Sequence, residues 1–141
     1  MYKIKIFSIG KTKEPWLLEA LSEYEKRLSP HMVIEWVLAK DSDQLIAFLG
    51  KENSPIVLSV DAKQLTSEEF SKTLFSTLEK LGSRLSFVIG GAEGIPSQIL
   101  TKALTTISFS KLTFTHQMIR LILLEQLYRA SEIQKGSGYH K

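Results

Sequence analysis

The chain has 141 residues, 43% of them hydrophobic, with 18 Lys and Arg against 15 Asp and Glu and no cysteine. That is the length of a single domain, spanning residues 1–141, with enough apolar material for a core. A net charge of +3 is compatible with a polyanionic partner but small for recognising one unaided, and the lack of cysteine excludes disulfides and Cys-ligated zinc and suits a reducing compartment.

Lys3-Ile4-Lys5-Ile6-Phe7 alternates as a first strand, and Met1 to Ile9 lacks the continuous apolar run of a signal peptide. Pro15 stands where a helix begins, Leu17, Leu21, Tyr24 and Leu28 mark its apolar face, and Pro30 ends it. Met32 to Leu38 reads as a second strand, and Asp43 to Leu49 as a short helix closed by Gly50. Ile56 to Val60 is a third strand. Thr66 with Glu69 forms a capping box for a helix whose apolar face is Phe70, Leu74, Leu78 and Leu81, stopped by Gly82. Leu85 to Ile89 is a fourth strand, Ser97 to Leu104 a short helix, Thr105 to Phe109 a fifth strand, and His116 to Gln134 a long final helix.

This alternation predicts an α/β fold, a mostly parallel sheet of five to six strands with helices on both faces. Ligands of such sheets bind at the carboxyl ends of strands, which here means after Val60, after Ile89 and after Phe109. Gly90-Gly91-Ala92-Glu93-Gly94 lets backbone groups approach a flat ligand closely, and Ser110-Lys111-Leu112-Thr113 can supply edge contacts to it. On the final helix Met118, Ile119, Leu121, Ile122, Leu123, Leu124 and Leu127 cover more than one face, which predicts a homodimer interface rather than a central core helix. Arg120 and Glu125 interrupt that run, so no segment is apolar enough to span a membrane, and a soluble cytoplasmic protein is expected.

Several motifs fail on inspection. Gly10-Lys11-Thr12 resembles the end of a phosphate-binding loop, but the glycine required earlier is Lys5. The Gly90 to Gly94 run misses the first glycine of a dinucleotide fingerprint and carries Glu93, which would repel a pyrophosphate. His31, His116 and His140 have no metal-ligand spacing, so no metal is expected, and no Ser-His-Asp or Cys-His arrangement is present. This poverty of acid–base machinery favours chemistry brought by a cofactor.

Four runs together carry a resemblance: Phe87-Val88-Ile89-Gly90-Gly91-Ala92-Glu93-Gly94, the stretch from Ser108 to Arg120, Glu125-Gln126-Leu127-Tyr128-Arg129-Ala130, and the terminal Tyr139-His140-Lys141. With Lys3 to Lys11 and Glu23 to Pro30, they resemble the RlmH family, the ribosomal RNA large subunit methyltransferase H enzymes of the SPOUT superfamily, formerly called YbeA-like. The resemblance covers nearly the whole chain. It implies a homodimer with a C-terminal trefoil knot in each subunit. The implied activity uses S-adenosylmethionine to methylate N3 of a pseudouridine in helix 69 of 23S rRNA, within assembled ribosomes. Cofactor-binding positions then fall on Val60, Gly90, Gly91, Phe109, Ser110, Lys111, Leu112, Thr113 and Phe114. The expected catalytic set is His140 taking the N3 proton, Arg129 or Lys141 stabilising the resulting anion, and Tyr139 stacking on the base. The chain departs from the family in being shorter around Lys40 to Asn53 and between Asp61 and Leu65. It also has Val60 for a usual Leu, and Thr115 where many relatives have proline. The rival readings are a non-catalytic RNA-binding or ribosome-associated module on the same fold, and a flavin-type nucleotide binder.

Overall fold

A computed structural model of the chain describes residues 1–52 and 54–139. Strands and helices alternate along it: β1 (Tyr2–Ile9), α1 (Pro15–Leu28), β2 (Met32–Ala39), α2 (Ser42–Leu49), β3 (Ile56–Gln64), α3 (Ser67–Lys80), β4 (Arg84–Ile89), α4 (Ser97–Leu100), β5 (Thr105–Ser108) and α5 (His116–Lys135). The five strands form one sheet in the order β2-β1-β4-β3-β5, and every pairing is parallel.

β4 and the first part of β3 bury both faces, which is why they read as continuous apolar runs. Along β4, Leu85, Phe87 and Ile89 point to one side, where α1, α3 and α5 supply Leu17, Leu21, Leu74, Leu78, Leu123 and Leu127. Val88 points to the other side, joining Phe7, Val57 and Ala39 under Leu45 and Leu49 of α2 and Ile99 of α4. The helix following β4 therefore lies on the opposite face from those following its neighbours β1 and β3. Chains that leave adjacent strands in opposite directions open a crevice at the carboxyl end of the sheet.

Helix ends follow local chemistry. In α3 both halves of the capping box are made: the Glu69 amide donates to Thr66 Oγ1 at 3.0 Å, and the Thr66 amide donates to Glu69 Oε1 at 2.8 Å. Those bonds hold the Glu69 carboxyl below its ordinary range. In α5, Thr115 has φ −63° and accepts from the Met118 amide at 3.2 Å. It thus adopts the φ that a proline would fix while adding a side-chain cap that proline lacks. At the far end, Gly136 closes α5 with φ 74°.

Several expectations change. β3 continues to Gln64 past a register break between Leu58 and Lys63, both of which face Ile107 of β5. α4 stops at Leu100, and Phe109 lies beyond β5 rather than in it. Gly50 ends α2 with φ −58°, so its closing role needs no left-handed backbone. Leu123, Leu124 and Leu127 are fully buried within the subunit itself. Much of α5's all-round apolarity is thereby spent on its own sheet, and the half-exposed residue of it is Met118, Ile119, Leu121 and Ile122.

Candidate functional site

The crevice predicted by the winding is present as a cleft of about 700 Å³, a size suited to a nucleoside-sized ligand. Three strand exits line it: Leu58 to Asp61 after the regular part of β3, Ile89 to Ala92 with Gly94 and Ile95 after β4, and Ser108 to Ser110 with Leu112 to His116 after β5. Val60, Gly90, Gly91, Phe109, Ser110, Leu112, Thr113 and Phe114 are all among the lining residues, whereas Lys111 is exposed and does not line the cleft.

The loop after β4 is tight. The Gly94 amide donates to the Gly91 carbonyl at 3.0 Å, and Gly94 has φ +86°. A Cβ at Gly90 would stand 2.7 Å from Ile95 Cδ1 and 3.1 Å from the Gly94 backbone, while one at Gly91 would press on Ile9 Cδ1 at 3.2 Å. The more stringent position is thus Gly90, because its nearest obstacles include backbone. The loop after β5 is folded on itself by serines: Ser108 Oγ donates to the Ser110 carbonyl at 2.8 Å, and the Leu112 amide donates to Ser110 Oγ at 2.9 Å. Phe109 packs edge-on to Phe70 of α3, with ring centroids 5.9 Å apart. Leu112 and Phe114 remain exposed at the rim.

Among the described residues, only Asp61 and His116 bring titratable side chains to the lining. Burial, with the charges of Arg120 and Lys13, holds the His116 imidazole below its ordinary pKa. Sequence reasoning had passed over both, along with Ser59, Ile95, Leu100 and Ile119. Asp61 falls where a strand's apolar pattern ends, and His116 was weighed only as a metal ligand.

Beneath the cleft, Arg120 is fully buried, and among the described residues no carboxylate pairs with it. Its guanidinium donates to Ser8 Oγ at 3.0 and 3.2 Å, to Thr12 Oγ1 at 2.8 Å, and to the carbonyls of Ile9 and Gly10 at 2.9 and 2.7 Å. Such a charge is tolerable in the interior because oxygens satisfy its donors.

The expected catalytic residues lie elsewhere. Arg129 and Tyr139 do not line the cleft, and His140 and Lys141 fall outside the described residues. The Tyr139 hydroxyl donates to Glu125 Oε2 at 3.3 Å, and Arg129 Nε meets the same oxygen at 3.3 Å. The Arg129 guanidinium sits 4.9 Å over the Tyr139 ring, which stands edge-on to Tyr128 at 5.0 Å. Tyr24 and Arg27 of α1 extend this cluster through Tyr128. Burial and the neighbouring Glu125 carboxylate push the Tyr139 hydroxyl up. His116 and Arg129 are thirteen residues apart on one helix, which is about 20 Å of axial rise.

Among the described residues no helix is long and apolar enough to cross a membrane, and no group of three or more His, Cys, Asp or Glu is placed to hold a metal.

A family model described as "Predicted SPOUT methyltransferase" matches residues 2–140. The chain is 51% identical over 141 residues to the ribosomal RNA large subunit methyltransferase H of Protochlamydia amoebophila, with all of both chains covered. It is 39% identical over 158 residues to the protein of that name from Streptococcus equi, covering 99% of each. Its fold is similar to that of a probable methylase family protein from Haemophilus influenzae, with TM-score 0.57, 10% identity, and 99% of this chain and 70% of that one covered. It is likewise similar to a Legionella pneumophila protein described as a methyltransferase and solved with bound SAM, with TM-score 0.54, 10% identity, and 92% and 66% coverage.

Proposed function

The chain belongs to the SPOUT methyltransferase family, and from that premise we propose that it methylates N3 of a pseudouridine in 23S rRNA, within the assembled ribosome in the cytoplasm, drawing the methyl group from S-adenosylmethionine. The observation that carries this reading is the cleft at the carboxyl end of the sheet, bounded by the glycine loop after β4 and the serine-folded loop after β5. Bound there, S-adenosylmethionine would supply an already activated methyl group. The C-terminal trefoil knot implied by the family belongs to the same proposal.

The loops' own contribution is orientation and exclusion of water. Gly90 and Gly91 leave backbone exposed to a planar group, and Leu58, Ile89, Leu112 and Phe114 give apolar walls. Transfer of that methyl group to N3 would leave the S–CH3 electron pair on sulfur and would require the N3 proton to be taken up by the protein. His140 is assigned that proton, with Arg129 and Lys141 stabilising the imide anion and Tyr139 stacking on the base.

Arg129 and Tyr139 do not line the cleft of their own subunit. Arg129 lies about 15 Å along α5 from Ile119, the last residue of that helix to line the cleft, and Tyr139 is folded back against α5 at Glu125 and Tyr128. We therefore assign the tail to a second copy's cleft in a twofold dimer, with antiparallel α5 helices meeting through Met118, Leu121 and Ile122. Each complete site then combines one subunit's cleft with its partner's tail.

The test mixes two inactive variants, Gly90→Val and a truncation lacking residues 139–141. Mixed dimers should regain methyl transfer, because one of their two sites holds both intact parts. Failure of the mixture to regain activity, with mixed dimers demonstrated, would overturn the assignment across the dimer. Absence of S-adenosylmethionine binding to the parent protein would instead favour the non-catalytic RNA-binding reading.

A further inference from the structure

The segment joining β1 to α1 carries two exposed lysines, Lys11 and Lys13, and is tied down almost atom by atom by α5. Arg120 takes up the carbonyls of Ile9 and Gly10 and the hydroxyls of Ser8 and Thr12. Gln117 completes the clasp: its Nε2 donates to the Lys11 carbonyl at 3.0 Å, and its Oε1 accepts from the Lys13 amide at 3.3 Å. A loop's inward backbone groups must find partners somewhere. Here the Gly10 amide donates to the Ala39 carbonyl of β2 at 2.8 Å, and side chains of α5 take up the carbonyls of Ile9, Gly10 and Lys11 and the Lys13 amide.

This loop sits at the cleft's edge. Ile9 fills the space behind Gly91. Gln117 adjoins His116, which lines the cleft, and the charge of Lys13 reaches that imidazole. Neither lysine forms an ion pair among the described residues. Two cations on a braced backbone differ from ordinary surface lysines in that less loop entropy is lost when they bind.

We propose that the residue 8–13 loop is a preformed phosphate clamp, in which Lys11 and Lys13 contact backbone phosphates of the RNA that delivers its nucleotide to the adjacent cleft. The proposal rests on the RNA methyltransferase reading above. It gives Arg120 and Gln117 a positioning role, because they touch neither substrate nor cofactor and act through the loop they brace. It also answers how a chain of net charge +3 can engage a polyanion: the useful charge is local and held in place.

The experiment measures binding to ribosomes from a strain lacking the gene, across a salt series, for the parent, Lys11→Gln/Lys13→Gln, Gln117→Ala, and Lys26→Gln as a control on α1. Each lost phosphate contact lowers the slope of log affinity against log salt by about 0.7–0.9. The double variant should therefore lose about 1.5 in slope while binding S-adenosylmethionine as the parent does. Lys26→Gln should keep the parental slope. Gln117→Ala, with both lysines intact, should bind severalfold more weakly at the parental slope, and restoring the amide with Asn should recover part of the loss. An unchanged slope in the double variant overturns the clamp while leaving the methyltransferase reading intact. An equal loss in the Lys26 variant overturns it by showing a diffuse charge effect. If the parent itself shows no salt-dependent ribosome binding, the clamp falls together with the RNA reading.

Discussion

The two ends of α5 differ in kind. Its first turn is uncharged apart from His116, capped by Thr115 and set into the wall of the cleft. Its last turns carry Glu125, Tyr128, Arg129 and Glu132, tied to one another and to Tyr139. The first end walls the cleft and the second gathers charged and aromatic side chains, and one helix keeps His116 and Arg129 about 20 Å apart. If the tail serves a partner's cleft as proposed, that separation is what makes association a condition of activity.

The largest effect should come from the second end. Removing residues 139–141 is expected to lower methyl transfer by about 10²–10⁴-fold, the usual worth of a positioned proton acceptor. Calorimetry should show S-adenosylmethionine affinity unchanged, and a parallel loss of affinity would dissolve the division between the ends. Next comes the first end. Gly90→Val drives a side chain into Ile95 and the Gly94 backbone, an overpacking that costs about 1–3 kcal/mol of folding stability and, by displacing the loop, should remove detectable S-adenosylmethionine binding. Gly91→Val should cost less, since Ile9 can yield. A charge at Ile122, half-exposed on α5, should shift sedimentation toward monomer and abolish activity without unfolding the chain. The same change at buried Leu127 should unfold it.

Much of this contrast was legible in the sequence, but unevenly. The Thr66–Glu69 box and the period of α3 were readable because both are settled within one or two turns. The glycine and serine loops declared themselves by following strands. Leu123 and Leu127 misled, because periodicity reports that a face is apolar without saying whether sheet or partner covers it. Arg120 was read as an interruption of an apolar helix, since its acceptors lie 108 to 112 positions away at the other end of the chain. β3 was cut short at Val60 because Asp61 and Lys63 break the apolar run just where the strand leaves the core.

The smaller effects sharpen the comparison. Tyr139→Phe removes only an exposed hydrogen bond to Glu125 and should lower turnover a few-fold, whereas Tyr139→Ala, which also loses the edge-on contact with Tyr128, should cost more. The smallest is a pH effect at the first end. The folded chain holds His116 below the ordinary value of about 6.5. As pH falls through that range the unfolded chain takes up more protons, so stability present above about 6.5 declines below it. Urea titrations should show a shallower decline for His116→Gln.

The bonds from Arg120 to Ser8 have a consequence in time. β1 occupies an interior place in the sheet, between β2 and β4, yet its carboxyl end is fastened by α5, which is synthesised long after it. Residues 112 positions apart can meet only after α5 has been synthesised, and contacts of such separation also slow the search for the native state. The nascent chain should therefore stay protease-sensitive until α5 emerges. A premature stop anywhere before that helix should yield no partly working enzyme, only a product for degradation.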